Sequence, residues 1–184
     1  AIEDFLRRRG HDVRRTRELA PDLSGVDVAI LFNLTRPCDC YCHARNAMRS
    51  GVPYVLFPIY WDLDSAIPRS AHPYTTREAV KRIIPRRWRQ AAQSLRFVTQ
   101  NRSRAGAARN GVLWHIAASS HRSLAACVAR GAAAVCPNSR AEAEHLASHV
   151  ADVDPAKVVV VLNGIFRDMS APPVRPEGVD LPEG

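Results

Sequence analysis

Short apolar runs alternate with longer segments of helical periodicity along this chain. The apolar runs, together with the polar-edged segment 11–18, predict β-strands at residues 11–18, 26–34, 52–58, 132–136 and 157–162. The segments that favour helices are residues 1–10, 41–50, 76–100, 111–130 and 139–150. Continuously apolar strands separated by helices are typical of a parallel sheet that is covered on both faces. The pattern therefore predicts an α/β fold with a doubly wound, mostly parallel, Rossmann-like sheet.

Two local motifs place the ends of predicted elements. Ser139-Arg-Ala-Glu142 has the S-x-x-E spacing of a capping box, in which both side chains accept hydrogen bonds from backbone N–H groups at a helix start. Asn163-Gly164 directly follows the last apolar run, and both residue types tolerate positive φ. We therefore expect a helix to begin at Ser139 and a turn to follow residue 162.

The pattern also predicts the domain organisation. Residues 1–169 form one predicted domain, and residues 170–184, which are rich in Pro and Gly, are typical of a linker. Residue 1 lies within a predicted helix, whereas the first strand of a doubly wound sheet is normally central. We therefore expect the chain to be a fragment whose first strand lies upstream of residue 1 and whose linker leads to a further domain.

The charge is concentrated in one segment. The net charge is +8, but residues 77–109 carry ten basic residues and one acidic residue, so the other 151 residues sum to −1. A hydrophobic content of 46% with nine glycines excludes disordered and collagen-like classes. No apolar run approaches the roughly 18 residues that a membrane-spanning helix needs.

Candidate metal and cofactor motifs are weak. Cys38-x-Cys40-x-Cys42 does not have the spacing of a zinc site, and His145 and His149 lack the acidic residue of an H-E-x-x-H motif. The chain contains neither a G-x-G-x-x-G motif nor a P-loop. The prediction therefore includes no metal and no cofactor.

Five motifs, in order along the chain, resemble the N-terminal domain of family 4 glycosyltransferases. They are R-G-H-D-V at 9–13, D-V-A-I-L-F-N at 27–33, G-V-P-Y-V with P-I-Y-W-D at 51–62, N-S-R-A-E at 138–142 and V-V-V-V-L-N-G-I at 158–165. In that family a strand leads to an N-S-x-x-E helix, and a valine-rich strand ends in N-G-[VI] at the domain hinge. The resemblance covers residues 5 to 166.

The resemblance implies a GT-B architecture, with two Rossmann-like domains that face each other across a cleft. The N-terminal domain would bind the acceptor, while an absent C-terminal domain would bind the nucleotide-sugar donor and supply the acidic E-x7-E residues. The implied reaction is sugar transfer with retention and without a metal ion. Asn163 and Gly164 would shape the hinge, and this chain would not turn over by itself.

The predicted acceptor site follows from the position of polar residues after strands. Ligands of open α/β sheets bind outside the carboxyl ends of the strands. This rule selects Asn33 and Thr35 after one strand, and Tyr60, Trp61 and Asp62 after the next. Aromatic faces and a carboxylate suit a sugar, but the same residues also suit a packed aromatic loop with a capping Asp.

The basic segment has its own helical pattern. Its basic positions are Arg82, Arg86, Arg89 and Arg96, and apolar positions on another face include Ile84, Trp88, Leu95 and Val98. A basic amphipathic helix with Trp suits an anionic membrane surface or another anionic ligand. It equally suits a solvated Arg face over a helix that packs on the core. Nucleic acid is not expected, because the aromatic residues are not interleaved as a stacking platform.

Two functions are expected, the first implied by the resemblance and the second by the basic segment. The first is glycosyl transfer from a nucleotide-sugar donor to an acceptor, by the parent protein rather than by this fragment. The second is a non-catalytic module that docks on a membrane or a partner through residues 82–96. The odd number of cysteines, five, and the lack of a secretory signal favour the cytoplasm. The basic helix would allow peripheral contact with the inner face of the membrane.

Overall fold

The computed structural model describes residues 2–60, 84–101, 110–150 and 153–162. The α-helices in this part of the chain are α1 (Ile2–Arg8), α2 (Pro37–Arg49), α3 (Arg86–Asn101), α4 (Asn110–Ala118), α5 (His121–Gly131) and α6 (Arg140–His149). The strands are β1 (Ala29–Phe32), β2 (Tyr54–Phe57) and β3 (Ala134–Val135), and a 3-10 turn spans Pro155–Lys157.

The three strands form a small open parallel sheet in the order β1-β2-β3. Residues 158–162 run alongside β3 in the same direction, because Val158 pairs with Val135. The Val159 N–H donates to the Val135 carbonyl at 2.9 Å, and the Val161 N–H donates to the Pro137 carbonyl at 2.9 Å. An α/β fold with a parallel sheet is thus confirmed for the described residues. Their strands follow one another across the sheet in chain order, without the reversal of order that defines a doubly wound sheet.

One face of the sheet carries the core. The register places Leu31 beside Leu56 and Leu56 beside Val135, so these side chains share a face. Helices α2 and α5 pack closely against each other in this core. Their contact is built from small residues, including Ala44 and Ala129, which are both fully buried.

The opposite face of the sheet is also apolar. Phe32 and Phe57 are register partners there, and their rings stack with centroids 5.3 Å apart. Phe32 is 45% exposed, and Val159 and Val161 of the adjoining segment are 52% and 41% exposed. A face of this kind agrees with the continuously apolar strands in the sequence, which contain few polar positions for solvent.

Most predicted elements are present with shifted ends. The predicted strand at residues 157–162 is an exception, because Lys157 ends a 3-10 turn and only Val158 forms a bridge, to Val135. Helix α2 begins at residue 37 rather than 41, because Pro37 suits the first position of a helix, where no N–H donor is needed. The predicted helix 111–130 is two helices. Ser120 interrupts it, and its hydroxyl accepts a hydrogen bond from the Ser123 N–H at 3.1 Å to cap the second one.

The predicted strand at residues 11–18 is wrong. This segment is irregular and mostly exposed. The Glu18 N–H donates to the Thr16 hydroxyl at 3.0 Å, a local turn that competes with strand pairing. The segment contains too few apolar residues to bury one face, so no tertiary packing offsets that competition.

Within the described residues, no helix combines the length and the apolar character that crossing a bilayer requires.

A close contact joins the end of α5 to β2. The Tyr54 hydroxyl donates to the Val128 carbonyl at 2.7 Å, and the ring is fully buried. A Cβ atom added at Gly131 would lie 2.6 Å from this hydroxyl oxygen. Because the hydrogen bond and the core hold the ring in place, the glycine is required for the approach of helix and strand.

We predict that Gly131→Ala lowers the free energy of unfolding by about 1–3 kcal/mol through overpacking. In a Tyr54→Phe background the same change should be less harmful. The nearest remaining atom is then the Met48 sulfur at 3.2 Å, which belongs to a flexible side chain, and the nearest ring atom is 3.6 Å away. Urea denaturation of the double-mutant cycle measures this coupling. Gly111→Ala, whose Cβ would meet nothing within 4 Å, is the control and should not destabilise the protein. Equal effects of Gly131→Ala in both backgrounds would refute the close contact.

We also predict that stability declines as the pH falls below about 6.5 because of His43 in α2. Burial lowers the pKa of His43 from its ordinary value of 6.5, an effect that Asp39 partly opposes. The unfolded chain therefore binds a proton at a higher pH than the folded chain does, and that proton favours unfolding. Urea midpoints at pH 7.5 and 5.5 should differ more for the wild type than for His43→Gln. The exposed residue His11 supplies the control, since His11→Gln should keep the wild-type difference.

Candidate functional site at the carboxyl edge of the sheet

The chain segments after β1 and β2 stay paired beyond the strands themselves. The Asn33 N–H donates to the Phe57 carbonyl at 3.1 Å, and the Leu34 N–H donates to the Pro58 carbonyl at 2.6 Å. Asn33 has a φ of 69°, in the left-handed region that Asn tolerates better than most residues. The two loops that follow the strands are thus held side by side at the carboxyl edge of the sheet.

Asn33 and Thr35 form a small polar pair at this edge. The Thr35 hydroxyl donates to the side-chain oxygen Oδ1 of Asn33. Both side chains are half-buried. The bond sets the orientation of the Asn33 amide, with its nitrogen as the remaining donor group.

Glu142 joins the loops that follow β2 and β3. Its side chain is 7% exposed, and its carboxylate oxygens accept hydrogen bonds from the Tyr60 and Asn138 backbone N–H groups, each at 2.5 Å. The carboxylate lies in the first turn of α6, where the helix dipole favours a negative charge. Two charge-assisted bonds to backbone groups satisfy a buried anion that would otherwise be costly.

The predicted capping motif is therefore half confirmed. The Ser139 hydroxyl accepts a hydrogen bond from the Glu142 N–H at 3.1 Å, and the helix begins where the sequence predicts. Its Glu member does not bond back to Ser139 as in a standard capping box. It reaches Asn138 and Tyr60 instead, so it connects two loops rather than closing one helix end.

Tyr60 packs on α6 through two histidines. The Tyr60 ring centroid lies 5.4 Å from that of His145, and the His145 and His149 rings stack at 4.2 Å. The His149 Nδ1 atom lies 2.8 Å from the Ser148 hydroxyl oxygen. This stacking holds Tyr60 against the helix as part of the wall of the site. Among the described residues, no group of three or more His, Cys, Asp and Glu side chains is arranged to hold a metal ion.

A second polar cluster lies where α3 meets α2 and α5. Ser94 of α3 is 1% exposed, and its hydroxyl oxygen is 3.2 Å from the His121 Nε2 atom. The Cys38 sulfur lies 3.8 Å from both of these atoms. Burial raises the pKa of the Cys38 thiol, while the Ser94 hydrogen bond partly opposes that effect. A buried thiol with a raised pKa is a poor nucleophile, so the cluster is suited to fixing helices rather than to catalysis.

A groove of about 970 Å³ lies between residues 15–20 and α2. Its polar lining includes Arg15, Arg17, Arg49, Asp39, Asn46 and Asn101. The Asn46 side chain donates to the Pro21 carbonyl at 2.9 Å and so holds the irregular N-terminal segment against α2. Sequence reasoning missed this groove, because residues 11–18 were assigned to a strand and no local pattern marks the contact of segment 15–20 with α2.

The predicted site residues have different outcomes. The structure brings Asn33, Thr35 and Tyr60 to the carboxyl edge of the sheet. Arg86 begins α3, Arg89 is half-buried in that helix, and Arg96 is exposed. The residues Trp61, Asp62, Arg82, Asn163 and Gly164 lie outside the described residues. Glu142 was predicted only as a cap, and no local signal in the sequence indicates its contact with Tyr60, 82 residues away.

No protein-family model, no curated protein and no solved structure matches this chain. The functional argument therefore depends on the motifs and on the geometry of the carboxyl edge.

We predict that Glu142→Gln lowers the free energy of unfolding by about 2 kcal/mol. Glutamine can accept one of the two backbone N–H groups, but its NH₂ group faces the other and leaves that donor unsatisfied. The exposed residue Glu144 on the same helix supplies the matched control. Glu144→Gln should change stability by less than about 0.5 kcal/mol. Equal effects of the two substitutions in urea denaturation would contradict the bridging role of Glu142.

Proposed function

We propose that this chain is the acceptor-binding, N-terminal half of a family 4 glycosyltransferase of GT-B architecture. The parent enzyme transfers a sugar from a nucleotide-sugar donor to an acceptor, with retention and without a metal ion. Residues 1–169 form the acceptor domain with a doubly wound sheet, and residues 170–184 lead to the donor domain. The catalytic acidic residues belong to that donor domain.

The observation that carries this proposal is that residues of separate sequence motifs meet at one edge of the sheet. Asn33 closes the D-V-A-I-L-F-N motif, and Tyr60 belongs to the P-I-Y-W-D motif. Backbone hydrogen bonds hold these two loops together, and the Glu142 carboxylate of the N-S-R-A-E motif binds the second of them. Three motifs that are far apart in sequence thus contribute to one location. In open α/β sheets ligands bind at this location.

The chemistry of the edge suits a hydroxyl-rich acceptor. The Asn33 amide and the Thr35 hydroxyl offer hydrogen-bonding groups whose orientation their mutual bond fixes. The adjoining wall is aromatic, formed by Tyr60 against His145. Sugars combine hydroxyl groups with apolar C–H faces, and a small number of placed polar groups beside an aromatic wall recognises both.

The proposed reaction needs a second domain, and this gives a direct test. The coding sequence downstream of Gly184 should encode a second α/β half with an E-x7-E pattern. A protein that includes this half should release nucleotide from UDP-glucose or GDP-mannose when glycoside acceptors are added, while the 184-residue chain should not. A stop codon directly after Gly184 in the natural gene, or no nucleotide release from any nucleotide sugar, would contradict the proposal.

Asn33→Gly tests the acceptor site in the two-domain protein. Glycine adopts the left-handed conformation of Asn33 without strain, so the substitution removes the amide and keeps the backbone. We predict a loss of about tenfold or more in kcat/KM for the acceptor, since a hydrogen bond to the sugar is lost, with an unchanged KM for the donor. Thr99→Ala in α3 is the control, because the Thr99 hydroxyl is exposed and bonds to the Arg96 carbonyl of its own helix. An equal loss for Thr99→Ala would argue against a site at Asn33.

A further inference from the structure

Helix α3 turns an apolar stripe toward solvent. Trp88 and Leu95 lie seven residues apart and therefore on one side of the helix. Their side chains are 61% and 59% exposed. The helix contacts the core through Ser94, which is buried, and through the half-buried residues Phe97 and Val98. The sequence left open whether the stripe packs on the core. In the structure only its Val98 end does so.

The buried cluster of Ser94, His121 and Cys38 explains this orientation. Ser94 is a polar residue at the centre of the core-facing side, and its hydroxyl oxygen lies 3.2 Å from His121 Nε2. Rotating the helix to bury Trp88 and Leu95 would turn the buried Ser94 side chain out of the core and break this contact with His121. Losing this hydrogen bond would destabilise the rotated arrangement, which favours the outward stripe.

The flanks of the stripe are basic. Helix α3 has four arginines and no acidic residue. Arg96 is exposed beside Leu95, and the Arg87 guanidinium carbon lies 6.0 Å from the centre of the Trp88 ring. Helix α4 packs on α3, and its Trp114 is 73% exposed. The surface therefore combines large apolar side chains with a uniform positive charge.

We propose that this surface, formed by Trp88, Leu95, Arg87 and Arg96, docks on an anionic phospholipid bilayer. A helix that lies in the bilayer interface has an apolar stripe with Trp or Leu and a flank rich in Arg or Lys. Phospholipid headgroups accept hydrogen bonds from the arginines, and the acyl boundary takes the apolar side chains. Nucleic acid would use the arginines, but its phosphate backbone gives no favourable partner to the aliphatic side chain of Leu95. The uniform charge is complementary to an anionic surface.

The experiment is vesicle flotation of the full 184-residue chain. Vesicles of phosphatidylcholine alone are compared with equimolar phosphatidylcholine and phosphatidylglycerol. We expect binding to the anionic vesicles that weakens with added salt, together with a blue shift of tryptophan emission. This docking does not depend on glycosyl transfer, so its result is independent of the proposed function.

Two double variants separate the apolar and the basic contributions. Trp88→Ala with Leu95→Ala should weaken partition into anionic vesicles by about tenfold or more, because the apolar anchors are lost. Arg87→Gln with Arg96→Gln should weaken it by about 25-fold, at about a fivefold loss per arginine. All four side chains are exposed, so folding should be unaffected, and circular dichroism checks this. Phe5→Ala, which removes a 43% exposed aromatic of α1, is the control and should bind like the wild type.

Four outcomes would overturn the proposal. The first two are no flotation of the wild-type chain and equal binding to neutral and anionic vesicles. The third is equal binding by the Trp88→Ala, Leu95→Ala double variant and by the Phe5→Ala control. The fourth is displacement from vesicles by a 20-nucleotide single-stranded DNA at equal phosphate concentration. The last outcome would assign the basic surface to nucleic acid instead.

Discussion

The carboxylate of Glu142 is the interaction on which the carboxyl edge of the sheet depends. The strands are short, with four residues in β1 and β2 and two in β3, so few ladder hydrogen bonds hold the loops that follow them. Glu142 supplies the missing connection by accepting the backbone N–H groups of Tyr60 and Asn138. A buried anion is stable there only because two donors and the start of a helix surround it. Glu142 therefore fixes the loop geometry that any ligand at this edge would meet.

Glu142 and Ser94 are polar side chains buried in the described part of the chain. Each one fixes something that the apolar core leaves undetermined. Glu142 sets the position of the loop after β2, and Ser94 sets the rotation of α3 about its axis. Apolar packing is not directional, whereas hydrogen bonds are, so single polar residues in a core select one arrangement from several of similar packing. Here one arrangement shapes the candidate acceptor site, and the other exposes the basic surface of α3.

The parts of the fold that could be predicted are those with a local physical signal. Continuous apolar runs locate β1, β2 and β3, and the Ser139 cap locates the start of α6. The segment at 11–18 could not be assigned correctly. Its few apolar residues give no face that would hold it in a sheet, so the local hydrogen bond between the Glu18 N–H and the Thr16 hydroxyl is made instead. The outward rotation of α3 was not decided by its periodicity, since a 3.6-residue period identifies a stripe but not the direction in which it points.

The candidate site could likewise be predicted only where a local signal in the sequence marks a residue. The rule that ligands bind at the carboxyl ends of strands selects Asn33, Thr35 and Tyr60, and the structure places all three at that edge. The sequence gives no sign that the Tyr60 N–H is bound by a carboxylate 82 residues away. It also gives no sign of the groove beside α2. Both depend on tertiary contacts between segments whose local patterns are unremarkable.

Native-state hydrogen exchange of the Tyr60 and Asn138 amides tests the role of Glu142 most directly. We expect both amides to be protected in the wild type, and both to lose protection together in Glu142→Gln. The Ala133 amide, which donates to the Tyr54 carbonyl at 2.9 Å at the other end of the sheet, should lose protection only as far as global stability falls. A Tyr60 amide that exchanges at the unprotected rate in the wild type, or unchanged exchange of both amides in Glu142→Gln, would contradict the carboxylate bridge.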